Sequence, residues 1–146
     1  MDKVLLSSDR MDWETPQDLF DELNEQYRFT IDVAANDSNH KCDRYYTPSD
    51  DGLMQEWAGE RVFCNPPYGR QVGKWVRKCY VESSRAELIV LLIPARTDTA
   101  YFHEWILGHA KIEFLRGRLR FETDGVPSGC APFPSMLVKF EPKEEA

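Results

Sequence analysis

The sequence predicts a single α/β domain, an open sheet with parallel members and helices packed against it. Three observations point there. Short apolar segments alternate with amphipathic ones along the chain, the order expected when strands are joined through helices. The segment Leu88 to Ile93 is apolar throughout, as strands buried on both faces are. The chain has 146 residues, 42% hydrophobic and 29% charged, which is enough for one modest core and one domain.

Taken in order, residues 1–12 are polar and read as a flexible N-terminus. Thr15-Pro16-Gln17-Asp18 opens a helix: Thr15 is placed to cap, Pro16 suits the first helical position, and Asp18 lies near the positive helix end. Leu19, Phe20, Leu23 and Tyr27 share one face of it. Phe29 to Ala34 reads as a short strand ending in Asp32 and small residues. Residues 36–59 lack periodicity and read as an ordered loop, with a helical turn near Met54 to Trp57. Arg61 to Cys64 is a second strand, stopped by Asn65-Pro66-Pro67-Tyr68-Gly69.

A helix follows, with Val72, Trp75, Val76, Cys79 and Tyr80 on its apolar face and Lys74, Arg77 and Lys78 on the other. Glu87 to Ile93 is the buried strand, ended by Pro94 to Thr97. Asp98 is placed to cap a helix with Phe102, Trp105 and Ile106 inward. Three strands remain: Lys111 to Leu115, Leu119 to Phe121 and Ser135 to Phe140. The domain spans 13–140, and 141–146 is a charged tail. Ligands of such sheets sit beyond the carboxyl ends of the strands. That singles out Asp32 to Ala35, Asn65 to Tyr68 and Pro94 to Thr97.

The net charge is −7, which argues against a protein that coats nucleic acid non-specifically. The distribution is uneven. Residues 1–60 carry five basic and fifteen acidic side chains, net −10; residues 61–121 carry eleven and five, net +6; the rest carry two and five, net −3. Cys42, Cys64, Cys79 and Cys130 form no Cys-x-x-Cys pair, so no metal site is expected and the thiols are expected to be free in a reducing cytoplasm. Residues 1–10 lack a signal-peptide pattern, and the apolar run at 88–93 is too short to span a bilayer. No membrane partner is expected, and no feature of the sequence sets an oligomeric state.

Asn65-Pro66-Pro67-Tyr68 carries the most chemical information. Two prolines fix φ and remove two donors, leaving a stiff loop with carbonyl acceptors. The Asn65 side chain and the Pro66 backbone can together accept both hydrogens of one planar amino group. Tyr68 offers a ring to stack against. Such a clamp addresses an exocyclic amine whose lone pair is delocalised, by stabilising the positive charge that grows during attack. Alignment does much of the rest, and no general base is needed before transfer. By itself the tetrapeptide is equally a rigid turn; its place after a strand, with an acidic strand end upstream, tilts the reading to function.

These residues resemble the catalytic motif of S-adenosylmethionine-dependent amino methyltransferases. The wider series is more specific: Asp12-Trp13-Glu14-Thr15-Pro16, Asp32-Val33-Ala34-Ala35, Asp51-Gly52-Leu53, Leu92 to Asp98, Arg116-Gly117-Arg118-Leu119-Arg120-Phe121, and Ala131 to Ser135. It resembles the phage-type DNA N-6-adenine methyltransferase family from about Trp13 to Phe140. The resemblance implies a compact Rossmann-like class I methyltransferase fold with a mostly parallel sheet. Its cofactor half would be shortened, because some thirty residues separate Asp32 from Asn65 and the Gly-rich turn is absent.

The resemblance also implies S-adenosyl-L-methionine as cofactor and DNA as partner, with adenine N6 methylated after the base leaves the duplex. A phage-type family implies the cytoplasm of a bacterial host. Thr15 and Pro16 match the segment whose threonine contacts the methionine end of the cofactor. Asp32 and Ala34 match the strand end whose carboxylate helps hold it, and Asp51 matches the acidic residue that reads the cofactor's adenine. Trp13 lies where an aromatic beside a sulfonium gains cation–π attraction. Asn65, Pro66, Pro67 and Tyr68 match the target-amine clamp. The ribose has no clear match; Asp37 and Asp50 are the acidic residues considered for it.

Simpler readings stand beside these. Asp32 and Asp51 both suit turns, and Trp75 and Trp105 at helical spacing read as core. Arg116, Arg118 and Arg120 alternate onto one face if the strand runs through Gly117, and with Lys74, Arg77 and Lys78 they form a basic surface suited to phosphates. A solvated strand edge is the plainer alternative. The clamp also suits RNA adenine, cytosine N4 or a protein glutamine amide, and a non-catalytic nucleic-acid-binding relative would keep the fold without the chemistry. The acidic remainder predicts weak, salt-sensitive DNA binding, and with no separate recognition domain expected, sequence specificity should be short or relaxed.

Overall fold

The computed structural model describes residues 13–142. The N-terminal stretch 1–12, and 143–146 of the charged tail, lie outside the described residues. The elements are α1 (Gln17–Tyr27), β1 (Ile31–Asp32), a 3₁₀ turn (Gly52–Met54), β2 (Arg61–Cys64), α2 (Val72–Glu82), β3 (Leu88–Pro94), a π-helical turn (Phe102–Ile106), β4 (Lys111–Phe114), β5 (Arg120–Thr123), β6 (Val126–Cys130) and β7 (Ser135–Phe140). Among these, no helix is long and apolar enough to cross a membrane.

Five strands form one sheet in the order β1-β2-β3-β7-β4, while β5 and β6 form a separate hairpin. The expectation of a mostly parallel sheet is corrected here. The β1–β2 and β2–β3 pairs are parallel, but β7 is antiparallel to both β3 and β4. The cause is connectivity. The helical turn Phe102–Ile106 carries the chain from β3 to β4, leaving a slot between them. Phe114 of β4 lies opposite Met136, so β4 finishes beside the start of β7. A hairpin, and no crossover helix, joins the two, so β7 enters the slot in the reverse direction.

Successive β2 side chains point to opposite faces. Phe63 meets Phe20 of α1 at 5.1 Å between ring centroids, edge to face, while Cys64 meets Cys79 of α2. The two helices therefore cover opposite faces, with all seven residues of β3 buried between them. Trp57 is fully buried; its indole N–H donates to the Gly52 carbonyl at 3.1 Å and its backbone N–H to Glu82 Oε1 at 2.7 Å. Gly52 is obligatory: a Cβ there would sit 2.2 Å from the Val33 carbonyl oxygen and 3.0 Å from the Trp75 ring.

Several local expectations change. β1 is two residues long instead of six, and residues 44–46 run beside it in a single parallel bridge, Asp32 to Tyr45. Thr15 does not cap α1; Glu122 does so from the hairpin, its carboxylate accepting the Gln17 N–H at 3.0 Å. Thr99, not Asp98, caps the π-helical turn by accepting the Phe102 N–H at 3.3 Å. The strand through Gly117 does not form: the chain bends there, at φ 76°, and β5 starts at Arg120. Asp124-Gly125 makes the β5–β6 turn, with φ 53° and 80°, the left-handed pair that an Asp-Gly hairpin favours.

Candidate active site

The parallel register brings the expected residues to one edge. Asp32 pairs with Phe63, so Asp32 and Asn65 leave adjacent strands two residues apart. β3 runs on to Pro94, which pairs with Ser135 at the start of β7. The loops after β1, β2 and β3 and the β5–β6 hairpin therefore share the carboxyl edge.

A cleft of about 600 Å³ opens there, within the usual size of small-molecule sites. Trp13, Thr15, Asp32, Ala34, Asp51, Asn65 and Pro67 all line it, while Pro16 does not. Pro66 is buried beside them. Asp37 and Asp50 are not lining residues. Asp37 accepts the Tyr45 hydroxyl at 2.8 Å, and Asp50 accepts the Thr47 N–H at 2.9 Å. Beside Asp51, the polar positions lining the cleft from that loop are Asn36, Asn39, Lys41 and Thr47, which sequence reasoning missed because nothing periodic marks them.

Asp32 is 3% exposed. Its Oδ2 accepts the Lys41 N–H at 3.0 Å and its Oδ1 the Ala34 N–H at 3.3 Å. Burial pushes its pKa up to about 6, against those two hydrogen bonds. A desolvated carboxylate that faces a cleft is a natural partner for an ammonium group.

Asn65 is the key side chain. Its Nδ2 donates to the Trp13 carbonyl at 2.6 Å and to Thr15 Oγ1 at 2.9 Å. A carbonyl can only accept, so the amide cannot be turned round. Its Oδ1 is thereby directed away from both; it is buried and has no hydrogen-bond partner among the described residues. Thr15, expected to cap a helix, instead orients this amide.

Trp13 and Thr15 are themselves held by the hairpin. Glu14 and Glu122 exchange backbone hydrogen bonds at 3.3 and 2.9 Å. The Glu14 carboxylate accepts the Asp124 and Gly125 N–H groups at 3.1 and 3.4 Å. Sequence reasoning missed this hairpin, although the Asp124-Gly125 pair is a signal that could have found it.

Tyr68 is 3% exposed, and its hydroxyl donates to the Leu92 carbonyl at 3.1 Å. Burial holds the phenol well above its ordinary pKa, so it is no proton acceptor. Its ring meets Phe121 and Phe133 edge-on at 6.0 and 5.7 Å, and Trp13 meets the same two rings at 5.4 and 5.1 Å. A second cavity, about 470 Å³, lies on this side, with Trp13, Tyr68, Pro94 and Phe133 in its wall. Trp13 is common to both cavities.

Of the six cations expected on a basic surface, Lys78 and Arg77 have local partners. Lys78 donates to the Gln55 carbonyl at 2.6 Å, lies 3.6 Å from Glu82 and sits over the Trp57 ring. Arg77 stacks over Trp105 at 5.9 Å. Lys74, Arg116, Arg118 and Arg120 are exposed, the last three on the approach to the hairpin.

Two curated proteins give the context. The DNA N-6-adenine-methyltransferase of Escherichia phage T1 is 30% identical over 115 residues, covering 77% of this chain and 48% of that protein. The protein of the same description from Haemophilus phage HP1 is 28% identical over 147 aligned positions, 93% of this chain and 82% of its own. The chain thus spans about half the length of the T1 relative. The family model described as DNA N-6-adenine-methyltransferase (Dam) matches residues 3–145. That match takes in every strand, both cavities and the Asn65 loop, and the chain belongs to this family.

Proposed function

We propose that the protein transfers a methyl group from S-adenosylmethionine to the N6 amino group of an adenine in DNA. The observation that carries this is the buried Asn65 Oδ1, fixed in direction by two donated hydrogen bonds and without a partner of its own among the described residues. An unmet buried acceptor costs roughly 1–3 kcal/mol, and an incoming amino group relieves that cost.

The cleft suits the cofactor: it has the volume, a buried carboxylate at one end and the Trp75 and Leu53 surfaces in its wall. Asp32 would take the methionine ammonium, and Thr15, Ala34 and Asp51 would line its path. When bound, the cofactor supplies a methyl carbon on a sulfonium sulfur. Asn65 Oδ1 and the Pro66 carbonyl accept the two N–H groups of the adenine, orienting the nitrogen and stabilising the charge that develops there. Pro67 stiffens the loop. Tyr68, locked by Leu92, stacks the extruded ring. Trp13 stands between the cavities and excludes water from the line of transfer.

The sheet supports a shortened Rossmann-like class I arrangement. Where a further strand would lie beyond β1, a single bridge at Tyr45 covers the edge, and residues 33–60 form loop and turns in place of strand–helix units. DNA would be held by the exposed arginines near the hairpin, in the cytoplasm of a bacterial host.

The test is to incubate the protein with labelled cofactor and unmethylated DNA, then to digest and identify the labelled nucleoside. N6-methyladenine is expected, and almost none with Asn65→Ala. Label on cytosine, RNA or protein glutamine overturns the substrate; no label on any of them, with folded protein, overturns the enzyme.

A further inference from the structure

The loop from Pro94 to Thr99 and the residue after Tyr68-Gly69 have no part in the clamp or the cofactor cleft. Both deliver an arginine to the second cavity: Arg70 and Arg96 line it, together with Trp13, Tyr68 and Phe133. Both side chains are exposed, and among the described residues neither forms an ion pair. Other cations in the basic segment are engaged. Arg61 pairs with Glu87, Arg85 with Glu82, and Lys78 lies beside Glu82.

The Arg96 backbone is tightly held. Its N–H donates to the Pro94 carbonyl at 3.0 Å, and its carbonyl accepts Thr99 Oγ1 at 2.8 Å. His103 is 2.9 Å from the Thr97 carbonyl and ties the next residue down. Arg70 sits on a turn closed by the Val72 N–H donating to the Gly69 carbonyl at 3.3 Å. Two guanidinium groups thus stand on fixed loops around an aromatic cavity, with no ion-pair partner among the described residues.

We propose that Arg70 and Arg96 hold the phosphates on either side of the nucleotide whose base occupies the second cavity. This rests on reading the protein as a DNA adenine methyltransferase. A base that swings out of the stack carries its sugar with it, while its flanking phosphates stay at the cavity mouth. Guanidinium groups match phosphate oxygens in pairs. The contact would oppose re-stacking of the base. It adds a grip at the cavity mouth to the one offered by the arginines near the hairpin.

The experiment uses the full chain and a duplex containing its mapped methylation site. Wild-type protein is first shown to form N6-methyladenine; failure there removes the function, not the arginine assignment alone. The R70A/R96A double variant should bind S-adenosylmethionine as wild type does, which shows that it is folded. It should bind DNA with a salt slope smaller by about two, since each lost phosphate contact removes about 0.9. Methylphosphonates at the two flanking phosphates should weaken wild-type binding but not the variant's. An unchanged slope, or equal methylphosphonate losses in both proteins, overturns the proposal.

Discussion

Two cavities meet at Trp13, whose carbonyl holds Asn65: an aromatic one walled by Trp13, Tyr68 and Phe133, and a cleft lined by Asn65, Asp32, Lys41 and Asp51. The first is assembled from distant parts of the chain. Its rings come from residues 13, 68, 121 and 133 and touch edge to face, and Tyr68 is bonded to the centre of the sheet through Leu92. The second is assembled locally. Asp32 bonds to Ala34 and Lys41, Asn36 to Ser38 and Asn39, and Thr47 to Asp50, over a β-strand of two residues. Edge-to-face rings buried in a core resist displacement, whereas a loop held by local side chain–backbone turns opens at lower cost. On the proposed reading, the target side is preorganised and the cofactor side is the one that should adjust on binding.

The largest test of this contrast is at the junction. Asn65→Ala should lower the methylation rate by about 100- to 1,000-fold, as loss of a transition-state hydrogen-bonding group does, while calorimetry shows cofactor affinity changed far less. Equal losses in both would mean that the two sides are not separable.

Asp32→Asn should act on the other side alone. Hydrogen bonds to charged groups contribute about 1.5–3 kcal/mol, so cofactor affinity should fall roughly 10- to 100-fold with DNA affinity intact. The wild-type pH profile follows from the same group. Its folded pKa is about 6, above the ordinary 3.8. The protonated carboxyl is thus favoured by folding, and its contribution to stability is complete below 3.8 and lost as pH rises through about 6. Cofactor affinity should run the opposite way, falling as pH drops below about 6, because a neutral carboxyl cannot pair with an ammonium. In the Asp32→Asn variant both dependences should flatten; a slope that persists assigns them to another group.

Gly52→Ala probes the floor of the adaptable side. The new Cβ would press on the Val33 carbonyl and Trp75, and overpacking of this kind costs about 1–3 kcal/mol. Thermal unfolding should shift down and cofactor binding weaken together. A variant of unchanged stability would show that this side yields even at its floor.

The smallest effect is expected at Tyr68→Phe, which removes only the bond to Leu92. About 1 kcal/mol of stability should go, with methylation reduced modestly and cofactor affinity unaltered. A large loss of rate would give the hydroxyl a part in the chemistry that its burial denies.

Much of the edge bearing the site was legible in the chain itself. Parallel strands deliver their carboxyl ends to one edge, so finding Asp32 and Asn65 at strand ends was enough to bring them together. The bounds of β2 and β7 and the apolar face of α2 were legible because they depend on neighbouring residues alone. Lys78 could not be sorted the same way, because its position on the polar face of α2 says nothing of Gln55, Trp57 and Glu82 arriving beside it. Arg96 was within a quoted motif, yet only the second cavity gives it a neighbour.

By itself, then, the sequence determined the α/β alternation, the stiffness of the Asn-Pro-Pro-Tyr loop and the chemistry its carbonyls offer, since these depend on residues a few positions apart. Tertiary structure decided the reversed direction of β7, the capping of α1 by Glu122 across 105 residues, and the direction in which Asn65 points. An amide has two ends of nearly equal size, and only the Trp13 carbonyl and Thr15 hydroxyl, brought from 52 and 50 residues away, fix which end is the oxygen and leave it buried and open to an incoming donor.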